Sequence, residues 1–133
     1  MFPVSAHPTD RIEQSEYLSI LSYAPASAVK PFAQQLLAHL GSIEVVSRRT
    51  GLATLPGIDE DGGLTEYEAL ITEVSIHTQN GADGYGMVIG RDERHATAIA
   101  IIDAALASDT TGLLTSTITR FVNQQADLLS RAD

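Results

Sequence analysis

The chain has no cysteine, which excludes disulfide bonds, thiolate metal ligands and cysteine nucleophiles. It also lacks tryptophan and has only three phenylalanines and four tyrosines among its 133 residues. A core must therefore rest mainly on aliphatic packing. The length predicts one domain, and we interpret residues 1–9 as a flexible arm before a single domain over residues 10–133.

Positive charge is scarce as well, with 8 Lys and Arg against 17 Asp and Glu and a formal net charge of −9. A nucleic-acid-binding protein needs a basic stripe to neutralise phosphates. The basic clusters here are only Arg48–Arg49 and the pair Arg91 and Arg94, so we expect no nucleic-acid partner.

The first ten residues lack the pattern of a signal peptide, and no apolar run is long enough to span a bilayer. We expect a cytoplasmic protein with no membrane partner.

Helical spacing of apolar residues occurs towards both ends of the chain. It predicts two N-terminal helices, over residues 11–23 and 27–40, and two C-terminal helices, over residues 92–107 and 111–131. The helix that begins near Asp92 is rich in alanine, which suits a close helix–helix approach at an interface.

The middle of the chain is rich in β-branched residues. Residues 43–49 and 51–55 predict two short strands, and the proline, glycines and acids of residues 56–65 predict a loop. Alternation over residues 68–79 predicts a third strand, and the turn residues that follow predict a hairpin to a fourth, over residues 85–89. The expected fold class is α+β, with an antiparallel sheet of about four strands, two N-terminal helices and two C-terminal helices.

Motifs with catalytic or cofactor chemistry are missing. The glycines of Gly84-x-Gly86-x-x-x-Gly90 bracket a predicted strand, whereas the dinucleotide fingerprint follows one and has its third glycine a residue earlier. The four histidines lack metal-ligand spacing. No serine nucleophile motif or paired-carboxylate set occurs, so we expect no catalytic residues, no metal and no cofactor.

The Gly-Arg-Asp turn before the third helix offers candidate contact residues. In the first interpretation, Asp92 only caps the helix, and Arg91 is solvated or paired nearby. In the second, the turn forms part of an anion site. There, Arg91, Arg94 and His95 bind a carboxylate or phosphate of a ligand or partner.

Asp103 and Tyr85 are the other candidate contact residues. Asp103 lies within an apolar helical segment, so we expect it either to pair with an arginine, in the fold or across an interface, or to face outward. Tyr85 could donate a proton, although isolated tyrosines usually serve packing.

A family resemblance is carried by residues 84–106, GYGMVIGRDERHATAIAIIDAAL. This segment resembles the PhnG family, in which a glycine–tyrosine pair, apolar residues and Gly-Arg-Asp precede an alanine-rich helix that ends Ile-Asp-Ala. Similar flanking segments are EYLSILS, the Thr-Gly-Leu at residues 50–52, and EALITEVSI. The acidic stretch at residues 56–65 departs from the family pattern.

The resemblance implies a role in phosphonate catabolism, as a small subunit of the carbon–phosphorus lyase core. It implies PhnH-, PhnI- and PhnJ-type partners, a homodimer, and support for the displacement of adenine from ATP by an alkylphosphonate. The product of that reaction is a ribose 1-alkylphosphonate 5-triphosphate. A stand-alone domain that binds a small anionic ligand is the alternative.

Overall fold

Two N-terminal and two C-terminal helices flank one antiparallel sheet, which confirms the predicted α+β class. The structure, a computed structural model, describes residues 13–131, so the arm interpreted at residues 1–9 lies outside the described residues. The elements are α1 (Gln14–Tyr23), α2 (Ala26–Leu40), β1 (Ile43–Ile58), β2 (Leu64–Thr78), β3 (Asp83–Ile89), α3 (Glu93–Ser108) and α4 (Leu113–Arg131).

The sheet has three strands in the order β1-β2-β3 rather than the four predicted. Residues 43–49 and 51–55 belong to one strand because the chain does not turn at Thr50 and Gly51. Thr50 pairs with Thr72 of β2, their hydroxyl oxygens lie 2.9 Å apart, and Gly51 continues the same register.

The predicted loop over residues 56–65 is shorter than expected, because both strands extend into it. The carboxylate of Asp59 forms the turn by accepting hydrogen bonds from the backbone N–H groups of Asp61 (3.0 Å) and Gly63 (2.8 Å). Pro56 is tolerated within β1 because β1 is an edge strand.

The hairpin of β1 and β2 is much longer than β3. The third strand pairs only with residues 71–77 of β2. Residues 51–70 therefore continue beyond it as a two-stranded ribbon, which we call the β-finger. Seven residues of β1 lie in it after Gly51, a length of about 23 Å at ~3.3 Å per residue.

Helix α3 is the centre of the core and is buried on nearly all sides. Gly84 and Gly86 let it lie directly on β3: an added Cβ would lie 2.0 Å from the carbonyl oxygen of Ala100 or Ala96, respectively. These glycines therefore have a packing role. The expectation that the alanine-rich helix forms an intermolecular interface is wrong, because its small side chains are used for contacts inside the chain.

The remaining helices complete the core around α3. The rings of Phe32 in α2 and Phe121 in α4 stack with centroids 3.9 Å apart. Asn80–Gly81 forms the predicted turn between β2 and β3, with the N–H of Gly81 donating to the Thr78 carbonyl.

Within the described residues, no helix is both long enough and apolar enough to cross a membrane.

Candidate functional site

A buried carboxylate in α3 joins three elements of the fold. The Asp103 side chain accepts hydrogen bonds from the Tyr17 hydroxyl and, at 2.8 Å, from the backbone N–H of Tyr85. The Gln14 amide donates to both carboxylate oxygens, at 3.2 and 3.3 Å. Because β3 is an edge strand, the N–H of Tyr85 has no neighbouring strand on that side. Asp103 thus connects α3, α1 and the free edge of the sheet.

The expectation that Asp103 faces outward is wrong, and it pairs with no arginine among residues 13–131. Pairing with an arginine across an interface stays a prediction. Within the described chain, neutral donors solvate the carboxylate, which satisfies the requirement that a buried polar group be hydrogen-bonded. Sequence reasoning missed Gln14 and Tyr17 as its partners. The available signal was Tyr17 on the apolar face of the first helix, since a buried tyrosine hydroxyl requires an acceptor.

The side chain of Tyr85 lies on the opposite face of the sheet from α3, since it alternates with the buried Gly84 and Gly86. Burial raises the pKa of the Tyr85 phenol, the Glu73 carboxylate raises it further, and Arg49 partly offsets the effect. The phenol is therefore neutral at pH 7. It borders an apolar cavity of about 240 Å³ between α1 and the sheet, which is also lined by Leu18, Tyr23, Leu55, Tyr67 and Met87.

The Gly-Arg-Asp turn connects β3 to α3. Gly90 has φ +106°, and its backbone is fixed to β2 by hydrogen bonds to Leu70 and from Thr72. Asp92 caps α3 by accepting from the backbone N–H of His95 at 3.0 Å. This hydrogen bond, more than any other influence, holds the pKa of Asp92 below its usual value. The predicted capping role of Asp92 is confirmed.

The imidazole of His95 points into the protein. Its Nε2 lies 2.9 Å from the carbonyl oxygen of Leu21, and because a carbonyl can only accept, Nε2 carries the hydrogen. The ring is buried by this contact with the end of α1. Among the three basic groups predicted near the turn, only Arg91 and Arg94 have exposed side chains.

The two exposed arginines form no ion pair with any residue from 13 to 131. Arg94 borders a groove of about 350 Å³ between α2 and α3, opposite Lys30. The Lys30 ammonium lies 3.7 Å from Asp92, so part of its charge is already neutralised. Arg91 and Arg94 thus have no carboxylate partner in the part of the chain that the structure describes.

The five predicted contact residues therefore form two separate groups. Arg91, Asp92 and His95 lie at the start of α3, whereas Asp103 and the backbone of Tyr85 meet further along the same helix. Eight residues separate His95 from Asp103, a distance of about 12 Å along the axis. In the part of the chain that the structure describes, no group of three or more His, Asp or Glu side chains could hold a metal ion.

A surface that the sequence did not predict lies on the β-finger. Leu52, Ile58 and Leu64 are among the most exposed large apolar side chains of the described residues. They share one face of the ribbon, because Ile58 pairs directly with Leu64 and the positions between Leu52 and Ile58 alternate. Leu52, Ile58 and Leu64 were visible in the sequence as apolar residues, but the interpretation of residues 56–65 as a loop hid the strand face that they share.

Comparison with known proteins identifies the family to which the chain belongs. A comparison with curated proteins found no match. The family model described as phosphonate metabolism protein PhnG matches residues 13–132, nearly the whole chain. The matched region includes the buried Asp103, the Gly-Arg-Asp turn and the β-finger. The chain therefore belongs to the PhnG family and has a role in phosphonate metabolism.

Proposed function

We propose that this chain is a non-catalytic accessory subunit that holds together a carbon–phosphorus lyase complex. In that complex it supports the formation of ribose 1-alkylphosphonate 5-triphosphate from ATP and an alkylphosphonate. Its partners are PhnH-, PhnI- and PhnJ-type subunits, and it pairs with a second copy of itself in the cytoplasm. Family membership in phosphonate metabolism supports this assignment.

The exposed apolar face of the β-finger is the observation that carries the proposal. A two-stranded ribbon is marginally stable in water unless another layer covers it, and clustered exposed apolar side chains mark interaction surfaces. The finger also extends past the third strand, where α3 no longer covers the sheet. A partner that packs on this face would stabilise the ribbon, as expected of an assembly subunit.

The buried polar groups support an accessory role rather than a catalytic one. The Asp103 carboxylate is occupied by donors from three residues, and the His95 ring is engaged by a backbone carbonyl. Both groups already use their hydrogen-bonding capacity on structural contacts, whereas a general acid or base must contact the substrate directly or through one water. These residues position helices, and the chemistry belongs to other subunits.

Adenine release tests the proposal. PhnH-, PhnI- and PhnJ-type subunits from the same genome are incubated with ATP and methylphosphonate, with and without this chain. We expect adenine only when this chain is present, and none from the isolated chain. Equal release without the chain, or turnover by the chain alone, would contradict the proposal.

A second candidate function is the binding of a small anionic ligand by the lone chain. The exposed guanidinium groups of Arg91 and Arg94, which form no ion pair within residues 13–131, favour it, since arginine presents a fork that matches phosphate and carboxylate oxygens. Titration calorimetry with methylphosphonate and ATP tests this function. Heat of binding that disappears in Arg91→Ala/Arg94→Ala would support it, and no heat with the folded wild type would remove it.

A further inference from the structure

We infer that the β-finger docks, through its Leu52/Ile58/Leu64 face, into an apolar groove with a basic rim on a different protein subunit. The inference rests on the proposed function and specifies the chemistry of the partner. The partner supplies aliphatic or aromatic side chains for the floor and lysine or arginine for the rim. Residues 51–70 combine three properties that point to this contact: exposed apolar side chains, charge of one sign and an edge strand that contains proline.

The exposure is concentrated on one face. Leu52 is 70%, Ile58 73% and Leu64 90% exposed, so most of the apolar area of these side chains remains in water. Leu52 lies directly opposite Leu70, and Ile58 directly opposite Leu64, on the face that α3 covers further along the sheet. The uncovered face is therefore a continuation of the core-facing side of the sheet. Such a face is completed by another layer of apolar side chains.

The charge of the finger has one sign. Residues 51–70 contain five acidic residues and no lysine, arginine or histidine. None of the five forms an ion pair with a described residue. Two of them share the strand face of Leu64, and the others lie at the turn. The five residues are Asp59, Glu60, Asp61, Glu66 and Glu68.

This charge distribution selects a basic partner over a second copy of the chain. A two-fold contact places the same surface patch of both copies together. Finger-to-finger pairing would bring five acids against five acids, in chains whose formal net charge is already −9. Like charges at an interface disfavour the wrong partner, and complementary charges steer the right one. A groove that offers apolar side chains to the exposed leucines and isoleucine, and lysines or arginines to the acids between them and at the turn, matches both features of the finger.

Strand geometry favours contact through the face rather than the edge. Pro56 lies in the middle of the finger part of edge strand β1 and has no N–H to offer an added strand. Strand addition along that edge is interrupted at this residue. The Leu52/Ile58/Leu64 face needs no backbone pairing to make a contact. Glu66 and Glu68 lie on this face between its apolar ends. We therefore assign the contact to the side chains of this face.

The test uses the full chain co-expressed with the PhnI-type subunit of the same genome, with affinity measured by surface plasmon resonance on the purified pair. Ile58→Ser/Leu64→Ser removes two of the three anchor side chains without touching the core. Leu113→Ser/Leu128→Ser is the matched control, because both leucines are exposed on α4. Circular dichroism and melting temperature of each lone variant verify that it folds.

We expect the finger variant to bind at least about tenfold more weakly, as for removal of interface anchors, and the control to bind like wild type. We also expect Glu66→Gln/Glu68→Gln to reduce the salt dependence of binding, since fewer charge pairs remain to be screened. Equal binding by wild type and the finger variant would overturn this inference but not the proposed function. An equal loss of affinity in the control variant would do the same. Loss of self-association in the lone finger variant, with subunit binding intact, would overturn it in favour of a second copy. If wild type binds no PhnI-, PhnH- or PhnJ-type subunit, the proposed function fails and the inference fails with it.

Discussion

Gly84 and Ala100 lie so close together that a Cβ on Gly84 would be 2.0 Å from the Ala100 carbonyl oxygen. This contact fixes the distance between β3 and α3 and explains why part of the family-like segment is built from glycine and alanine. Backbone atoms form the obstacle, so a side-chain rotation cannot relieve it. Stability of the lone chain should therefore depend strongly on this position.

Replacement of Gly84 by alanine should destabilise the chain by at least about 1–3 kcal/mol, the usual cost of overpacking a core. Gly51→Ala is the matched control, because a Cβ at Gly51 meets no atom within 4 Å. In that control, stability should stay the same or rise slightly, since glycine weakens a strand interior. Urea unfolding followed by circular dichroism measures both. Equal stabilities of the two variants would contradict the close approach of α3 to β3.

The Asp103 carboxylate should contribute to stability through its buried hydrogen bonds. Asp103→Asn should lower the free energy of unfolding by about 1–3 kcal/mol, because an amide nitrogen facing a donor leaves a buried group unsatisfied. Tyr17→Phe tests the same network, and the double variant should lose less than the sum of the two single losses. The exposed Asp127, paired with Arg131, provides the control. An Asp127→Asn loss as large as that of Asp103→Asn would argue against a structural role for the buried carboxylate.

Acid should weaken the start of α4 through Asp109. Burial raises the pKa of this carboxyl, but hydrogen bonds from Thr115 and Thr111 outweigh it and bring the pKa down to about 2. Because the folded pKa lies below the unfolded value of about 3.9, the stabilisation is complete above pH ~4 and is lost as the pH falls towards 2. The stability difference between wild type and Asp109→Asn should thus shrink between pH 4 and pH 2. A difference that stays constant over this range in denaturant unfolding would disagree with the prediction.

Arg91 should matter to assembly more than to folding. Its side chain is exposed and forms no ion pair within residues 13–131, so Arg91→Ala should change lone-chain stability by less than about 0.5 kcal/mol. We expect weaker binding to the partner subunits or lower adenine release. Arg120→Ala, a change at another exposed arginine, is the control and should leave both unchanged. If Arg91→Ala instead lowers the melting temperature of the lone chain along with the activity of the complex, the role of Arg91 is structural.

Local patterns in the sequence predicted the helices, the hairpin and the Asp92 cap because each depends on residues close together in the chain. The long hairpin was harder, since proline and glycine at positions 56 and 57 resemble a loop unless the edge position of β1 is known. The partners of Asp103 were not predictable from spacing: Tyr17 is 86 residues away and meets Asp103 only once α1 packs on α3. The inward orientation of His95 depends on the same packing. Tertiary contacts thus decided which polar residues are structural.

The mass of the particle that contains this chain tests the proposed assembly role most directly. Light scattering coupled to size exclusion is performed on the chain alone and after co-expression with the PhnI-type subunit. We expect one co-eluting species whose mass accounts for both subunits, with two copies of this chain. Elution of the two proteins as separate species, each at its own mass, would contradict the account.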